Sequence, residues 1–224
     1  MQQVAPGVWL IDGFLDHFVN AYLVGDVLID ALTRWHTWHL SRKLLGHRLS
    51  AVALTHCHPD HQGAAWFLCR KFKIPLACHE ADIPAMEGTG PMLPQTFIVN
   101  RLGRFISGQP YAVSRRLKDG DEIAGFRVIH TPGHTPGHVM LFREFDRVAI
   151  AGDLLANMSF ITLEPGLRLP PPFFCTDPRQ NRRSVELLAS LDPSLVLFGH
   201  GPPLHKVEQL HSFVERMQRR QMKV

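Results

Sequence analysis

The chain has 224 residues, of which 45% are hydrophobic and 20% are charged, so it is long enough to bury one sizeable core. No proline-rich or low-complexity stretch divides it, and we expect a single domain over residues 1–224. The formal net charge of +4 does not call for a nucleic-acid partner. The sequence contains neither a leader pattern nor an apolar run long enough to span a bilayer, so we expect a cytoplasmic protein without membrane contact.

Apolar runs and helical spacing predict strands and helices in a similar order in the two halves of the chain. The first half is predicted to contain strands at 8–11, 19–24 and 27–30, a helix at 36–45, a strand running into His56, a helix at 62–72 and a strand near Leu76. The second half is predicted to contain strands near Arg115 and at 126–130, 139–143 and 148–151, a helix at 179–191, a strand running into His200 and a helix at 205–220. This order suits an α/β protein built as a four-layer αββα sandwich.

The hexapeptide His-Cys-His-Pro-Asp-His at residues 56–61 follows a short apolar run and indicates a metal site. Because side chains alternate along a strand, His56 and His58 can point to one side, while Asp60 and His61 follow as the chain turns into a helix. Buried ionisable groups at this density would remain unsatisfied unless a cation gathered them. The segment supplies about half of the ligands that two adjacent metal ions need.

Three other predicted strands also lead to a His or an Asp and supply the remaining candidates, His134, Asp153 and His200. The Pro and Gly residues around His134 mark a rigid loop. The role of His138 stays open between second shell, structural residue and loop residue. Most other histidines are expected to be surface or satisfied core residues; these are His17, His36, His39, His47, His79, His130, His205 and His211.

Together these motifs resemble the metallo-β-lactamase superfamily of metallohydrolases. The resemblance is carried by Thr-His-x-His-x-Asp-His at 55–61, by His134 in Thr-Pro-Gly-His, by Asp153 in Ala-Gly-Asp and by His200 in Gly-His-Gly-Pro. Asp30 is similar to the first motif of that superfamily, usually a structural carboxylate near the metal loop. The motifs occur in the right order and cover almost the whole chain, which implies the four-layer αββα fold of the metallo-β-lactamase type.

The resemblance also implies a ligand set and a reaction. One metal ion would be held by His56, His58 and His134, a second by Asp60, His61 and His200, and Asp153 would bridge both. The expected cofactors are two divalent metal ions, with zinc as the default, while iron or manganese also suits these ligands. The expected reaction is hydrolysis, by a metal-bridging hydroxide, of an ester, thioester or lactone bond of a small, partly apolar substrate. Asp60 and Asp153 are the candidate catalytic residues, and Asp60 would orient the nucleophile or carry a proton.

Departures from individual subfamilies narrow this expectation. A bridging Asp153 disfavours a true β-lactamase, and Ala156 stands where the acyl-homoserine lactonases usually carry Tyr. Glyoxalase II enzymes resemble the chain in all seven ligands but continue into a C-terminal helical extension, whereas only 24 residues follow His200 here. An iron-dependent persulfide dioxygenase is the main alternative of another class. A phosphodiesterase or nuclease of the superfamily and a binding module without catalysis are the others.

Two apolar but poorly periodic segments, residues 84–110 and 157–176, are expected to be loops that shape the substrate pocket, with ordinary loop packing or a homodimer contact as the alternatives. The turn at residues 13–18 is a candidate third wall. The four cysteines show no Cys-x-x-Cys spacing and are expected to be free thiols. Cys57 points away from the metal side of its strand, which favours a buried packing role.

Overall fold

Seven strands form the first sheet, and they follow one another across it in chain order. The computed structural model describes residues 1–221, apart from the side chain of Leu102, and the end of the predicted domain lies outside the described residues. The strands are β1 (Gln2–Ala5), β2 (Val8–Asp12), β3 (Asn20–Val24), β4 (Val27–Ile29), β5 (Ala51–Ala53), β6 (Leu76–His79) and β7 (Arg115–Leu117). Strands β1 to β4 pair antiparallel, and β4 to β7 pair parallel.

The second half of the chain forms a five-stranded sheet and a small hairpin. The sheet has the order β14-β11-β10-β9-β8, and only the β11–β14 pair within it is parallel. Its strands are β8 (Glu122–Ile123), β9 (Phe126–His130), β10 (Val139–Arg143), β11 (Val148–Ile150) and β14 (Leu195–Leu197). The hairpin consists of β12 (Ala156–Met158) and β13 (Pro165–Arg168).

Helices cover the outer face of each sheet. Those of the first half are α1 (Thr37–Lys43), α2 (Pro59–Gln62), α3 (Ala65–Phe72), α4 (Ile83–Glu87) and α5 (Phe97–Ile106), and those of the second half are α6 (Pro178–Ser190) and α7 (Glu208–Gln221). Short 3-10 helices lie at Arg34–His36, Glu80–Asp82 and Pro172–Phe174. No helix in residues 1–221 is both long and apolar enough to cross a membrane.

Three buried apolar clusters define four layers. Leu23 on β3 packs in the cluster between the first sheet and its helices, with Leu40 of α1 and Leu68 of α3. Its neighbour Tyr22 points the other way, into the cluster between the two sheets, because adjacent side chains on a strand lie on opposite faces. The third cluster joins the second sheet to α6 and α7, for example through Leu188. The predicted αββα sandwich is therefore confirmed.

The helix predicted over residues 62–72 is divided into α2 and α3 at Gly63. The Gly63 N–H donates to the Leu32 carbonyl at 2.7 Å instead of continuing one helix. A Cβ at Gly63 would collide with the backbone of Thr33 and Arg34. The chain therefore makes a close backbone contact here that the apolar spacing of the sequence does not reveal.

The two segments predicted to be loops contain regular structure. Residues 84–110 include most of α4 and all of α5, and residues 157–176 include most of the β12–β13 hairpin. Helix α5 buries Val99 but exposes Phe97 and Phe105. Its apolar residues thus lie on both the buried and the exposed sides, which is why no single apolar face was visible in the sequence.

Candidate metal centre

The predicted ligands meet because the strands that precede them end at the same edge of the two sheets. His56 lies three positions after the end of β5, Asp153 three after β11, and His200 three after β14. The loop after β9 carries His134, and its Thr131 N–H donates to the His138 carbonyl at 2.9 Å. Parallel strands place their carboxyl ends side by side, so the short loops after them converge.

Two groups of three side chains have ligand atoms within 4.8 Å of one another. The first contains His56, His58 and His134, and the second contains Asp60, His61 and His200. A third combination joins His56, His61 and Asp153. These are the two sets that the sequence resemblance implied, with Asp153 beside both. Metal ligation by these seven residues itself stays a prediction.

Asp153 occupies the centre of the cluster. Its Oδ1 lies 3.3 Å from His61 Nε2. Its Oδ2 lies 3.2 Å from His200 Nε2 and 3.6 Å from His134 Nε2. The carboxylate therefore reaches both groups, which is the geometry needed of a residue that bridges two cations.

Asp30 and Thr55 fix the orientation of two of the imidazoles. Asp30 Oδ1 accepts from the Thr55 N–H, and its Oδ2 accepts from the Thr55 hydroxyl, each at 2.8 Å. The Thr55 oxygen is then left to accept from His56 Nδ1 at 3.1 Å, and His61 Nδ1 donates to Asp30 Oδ2 at 2.9 Å. With Nδ1 protonated in both rings, each Nε2 presents a lone pair to the cluster.

Backbone carbonyls orient two further rings. His58 Nε2 donates to the Leu93 carbonyl at 2.8 Å, which leaves Nδ1 as its ligand nitrogen. His200 Nδ1 donates to the Phe18 carbonyl, which leaves Nε2 facing the carboxylates. The segments that hold these carbonyls, residues 84–110 and 13–18, were predicted as pocket walls, and here they also hold the candidate ligands.

Several buried atoms of the cluster have no hydrogen-bond partner within the described part of the chain. They are His56 Nε2, His61 Nε2, His134 Nε2 and Asp153 Oδ1. Leaving a buried polar atom unpaired costs about 1–3 kcal/mol each, and more for a charged group. Because these atoms also point toward a shared centre, the residues fit divalent metal ions.

Electrostatics divides the imidazoles into two kinds. Burial and the neighbouring histidines lower the pKa of His56 and of His134 well below the usual value, so both rings are neutral. Burial also opposes protonation of His61 and His200, but the Asp153 carboxylate outweighs it and raises their pKa values, to about 10 for His200. A bound cation would replace these protons as the counter-charge of the carboxylates.

His138, whose role stayed open in the sequence, is a structural residue of the centre. Its Nδ1 donates to the Thr131 hydroxyl at 2.9 Å, and its Nε2 accepts from the backbone N–H of Asp153 at 3.0 Å. Burial lowers its pKa to about 3, so the ring stays neutral and keeps that acceptor. His138 thus orients the loop that carries Asp153.

Asp82 is a functional residue that the sequence analysis missed. Its buried carboxylate accepts from the Cys57 N–H at 3.1 Å, from the Thr135 hydroxyl at 2.8 Å and from the Gly137 N–H at 2.7 Å. It therefore ties the loop of His56 and His58 to the loop of His134. No motif marks it, because its partners lie far away in sequence.

Next to the cluster lies a largely apolar cavity of about 460 Å³. Phe18 comes from the turn at 13–18, Val99 and Ile106 from α5, and Phe160 and Phe174 from the segment 157–176. All three predicted wall segments therefore line it. His36 also contributes to the wall with both ring nitrogens hydrogen-bonded, as expected of a satisfied histidine. The cysteines are free and buried, as predicted.

A four-layer αββα sandwich with a His and Asp cluster at one sheet edge defines the class of metal-dependent hydrolases with this fold. The sequence model of the metallo-beta-lactamase superfamily matches residues 15–200, and the chain belongs to that superfamily. The resemblance seen in the sequence is therefore confirmed, and the fold implies binding of divalent metal.

Relatives of known name are consistent with this assignment. The probable metallo-hydrolase YflN of Bacillus subtilis is 30% identical over 71% of this chain and 67% of its own length. The hydroxyacylglutathione hydrolase GloC of Haemophilus influenzae is 32% identical over 48% of this chain and 50% of its own. The crystal structure of TTHA1623 in a di-iron-bound form aligns over 91% of this chain and 94% of that one, with a TM-score of 0.68 and 31% identity.

Proposed function

We propose that this protein is a hydrolase with two divalent metal ions that cleaves an ester, thioester or lactone bond of a small, partly apolar substrate. The observation that carries the proposal is the arrangement of two three-residue ligand groups on either side of Asp153, at the end of an apolar cavity. The likeness to a protein crystallised with two irons supports a binuclear centre. The likeness to a hydroxyacylglutathione hydrolase supports a thioester among the candidate substrates.

The first ion would be held by His56, His58 and His134, the second by Asp60, His61 and His200, with Asp153 shared between them. The donors are imidazoles and carboxylates without a thiolate, a set that suits zinc, iron and manganese. Burial raises the pKa of the nearby Cys175 to about 12, which keeps that thiol protonated and out of the ligand set. When bound, the two ions polarise a substrate oxygen and lower the pKa of a water molecule.

Asp60 is placed to handle a proton at the open side of the cluster. Its Oδ2 lies 3.3 Å from His200 Nε2, and the side chain lines the apolar cavity. Burial alone would raise its pKa, but the hydrogen bond from His200 and the charge of His61 outweigh burial and hold the pKa below its usual range. An ionised Asp60 orients a nucleophile by accepting its hydrogen bond and takes up the released proton.

The cavity wall selects the substrate by excluding water. Phe18 and Phe160 pack edge to face with ring centroids 6.0 Å apart, and Phe160 also packs against the His200 ring at 4.9 Å. These rings leave little polar surface beside the candidate ligands. An acyl or similarly apolar group therefore fits the wall, while its carbonyl oxygen faces the cluster.

The test is elemental analysis of protein purified without added metal, followed by assays with a panel of esters, thioesters, lactones, phosphodiesters and a persulfide. We expect close to two metal ions per chain and turnover of at least one carbonyl substrate. Asp153→Ala should lower both metal content and turnover, while the exposed control Asp26→Ala should change neither. One iron per chain with oxygen consumption on the persulfide would instead identify a dioxygenase, and protein without metal or turnover would identify a binding module.

A further inference from the structure

A second concave surface lies on the opposite side of the β13 segment from the metal cavity. We call it the arginine groove: a space of about 840 Å³ where α6, α7 and β13 meet. Its polar lining consists of Arg179, Arg182, Arg183, Arg216, Arg220 and Glu186. Its apolar floor consists of Leu167, Leu169, Phe213 and Met217.

The positive charge of the arginine groove is not balanced by the protein. None of its five arginines forms an ion pair with a residue in 1–221, whereas Arg143 and Arg147 elsewhere on the surface each pair with an aspartate. Glu186, the single acidic residue in the lining, accepts a hydrogen bond from Gln218 at 3.1 Å. The nearby Asp177 caps the N-terminus of α6 by accepting from two backbone N–H groups.

One polar atom in the arginine groove has neither water access nor a partner among the described residues. This is Nε of Arg182, which is buried although the residue as a whole is half-buried. A buried guanidinium donor is costly to leave unpaired, so a ligand that accepts from it gains affinity. The unpaired donor therefore points to an anion as the missing partner.

We propose that the arginine groove binds a phosphorylated small molecule that carries at least two phosphate groups and an apolar or planar portion. Planar guanidinium groups bind phosphate oxygens in pairs, and the floor of Leu167, Leu169 and Phe213 takes the apolar portion. The volume is that of a small-molecule site, and the arginines converge on one concavity instead of following a stripe as for a nucleic acid.

The arginine groove is separate from the metal cavity but shares a wall with it. Leu167 and Leu169 face the groove, while the next residues, Pro170 and Pro171, line the metal cavity. A ligand in the groove would thus rest against the segment that shapes the substrate wall without touching a candidate metal ligand.

The experiment is calorimetric titration of the metal-loaded protein with ADP, which has two phosphates and a planar base, and with adenosine, which has none. We expect ADP to bind with a dissociation constant below about 0.1 mM, adenosine to bind at least tenfold more weakly, and ADP binding to weaken as salt rises. The double variant Arg183→Gln/Arg216→Gln alters two exposed side chains, one on each helix, and should weaken ADP binding by at least about tenfold.

Arg219→Gln is the matched control, because Arg219 lies on the same helix as Arg216 but pairs with Glu215 outside the groove. It should bind ADP like the unmodified protein. Equal ADP binding by the double variant and the control would overturn the proposal, since the metal centre would then be the phosphate site. Tighter binding of a short RNA or an acidic peptide than of ADP would overturn the assignment to a small molecule. Metal content, measured after each titration, must stay constant.

Discussion

The carboxylate of Asp82 joins the two loops that carry the first group of candidate ligands, and its removal should therefore affect both folding and metal binding. In Asp82→Ala, the backbone N–H groups of Cys57 and Gly137 and the hydroxyl of Thr135 all lose their acceptor in a buried region. Water cannot replace the carboxylate without a cavity, and the alanine leaves only a small one.

The expected loss follows from these three hydrogen bonds. A buried donor without an acceptor costs about 1–3 kcal/mol, and the Thr135 hydroxyl can turn to another acceptor, so we expect a loss of about 3–6 kcal/mol in the free energy of unfolding. Such a loss is a large part of the stability of a typical domain. Urea unfolding of metal-depleted protein, followed by circular dichroism, measures it without a contribution from metal binding.

Metal affinity supplies a second readout, because a purely structural role elsewhere in the fold would leave it unchanged. Displacing the loop of His56 and His58 relative to the loop of His134 should weaken metal binding by about 10–100-fold, the usual effect of losing a group that orients ligands. Asp119→Ala is the control, since Asp119 also accepts a backbone N–H, from His130 at 2.8 Å, but at an exposed site. A loss of stability below about 1 kcal/mol together with unchanged metal affinity would refute this role of Asp82.

Three further predictions concern the centre, its cavity and its pH response. Gly199→Ala should abolish metal binding, measured by elemental analysis, because the added Cβ would collide with Asp153 Oδ1; full metal occupancy would contradict this. Phe160→Ala should raise KM for apolar substrates by about tenfold with little change in kcat, whereas Phe145→Ala, exposed and outside the cavity, should not; equal KM values would argue against the apolar wall. Burial, reinforced by the charge of His39, lowers the pKa of His36 to about 4, so between pH 6.5 and 4 the unfolded chain takes up a proton that the folded chain refuses. Stability should therefore fall over this range by about 1–2 kcal/mol more than in His36→Gln, as measured by urea unfolding at each pH, and parallel pH profiles would exclude this contribution.

The candidate ligands could be found from the sequence because their placement is a local property. An apolar strand followed by a short loop to His56, Asp153 or His200 is visible in the residues themselves, and strand pairing then brings the loops together. The layers of the fold were equally accessible, because alternation along strands such as β3 shows which side chains face each neighbouring layer. Both kinds of information are contained in short stretches of chain.

The parts that could not be predicted depend on contacts between distant segments. Asp82 looks like any acidic residue beside a short helix, and only the folded chain brings it to Gly137. Helix α5 was mistaken for a loop because its apolar side chains serve both the interior and the outer surface. The division between α2 and α3 likewise arises from a backbone contact at Gly63 that has no sequence period.

The same long-range contacts link the substrate wall to the candidate ligands. The Phe18 carbonyl orients His200, the Leu93 carbonyl orients His58, and Cys175 Sγ contacts Nδ1 of His134 at 3.7 Å. Each of these segments also contributes residues to, or lies beside, the apolar cavity. Movement of a wall would therefore turn a ligand ring, since an imidazole held by one backbone acceptor follows that acceptor. Changes in the wall segments should thus alter substrate preference and metal affinity together, even when no candidate ligand is substituted.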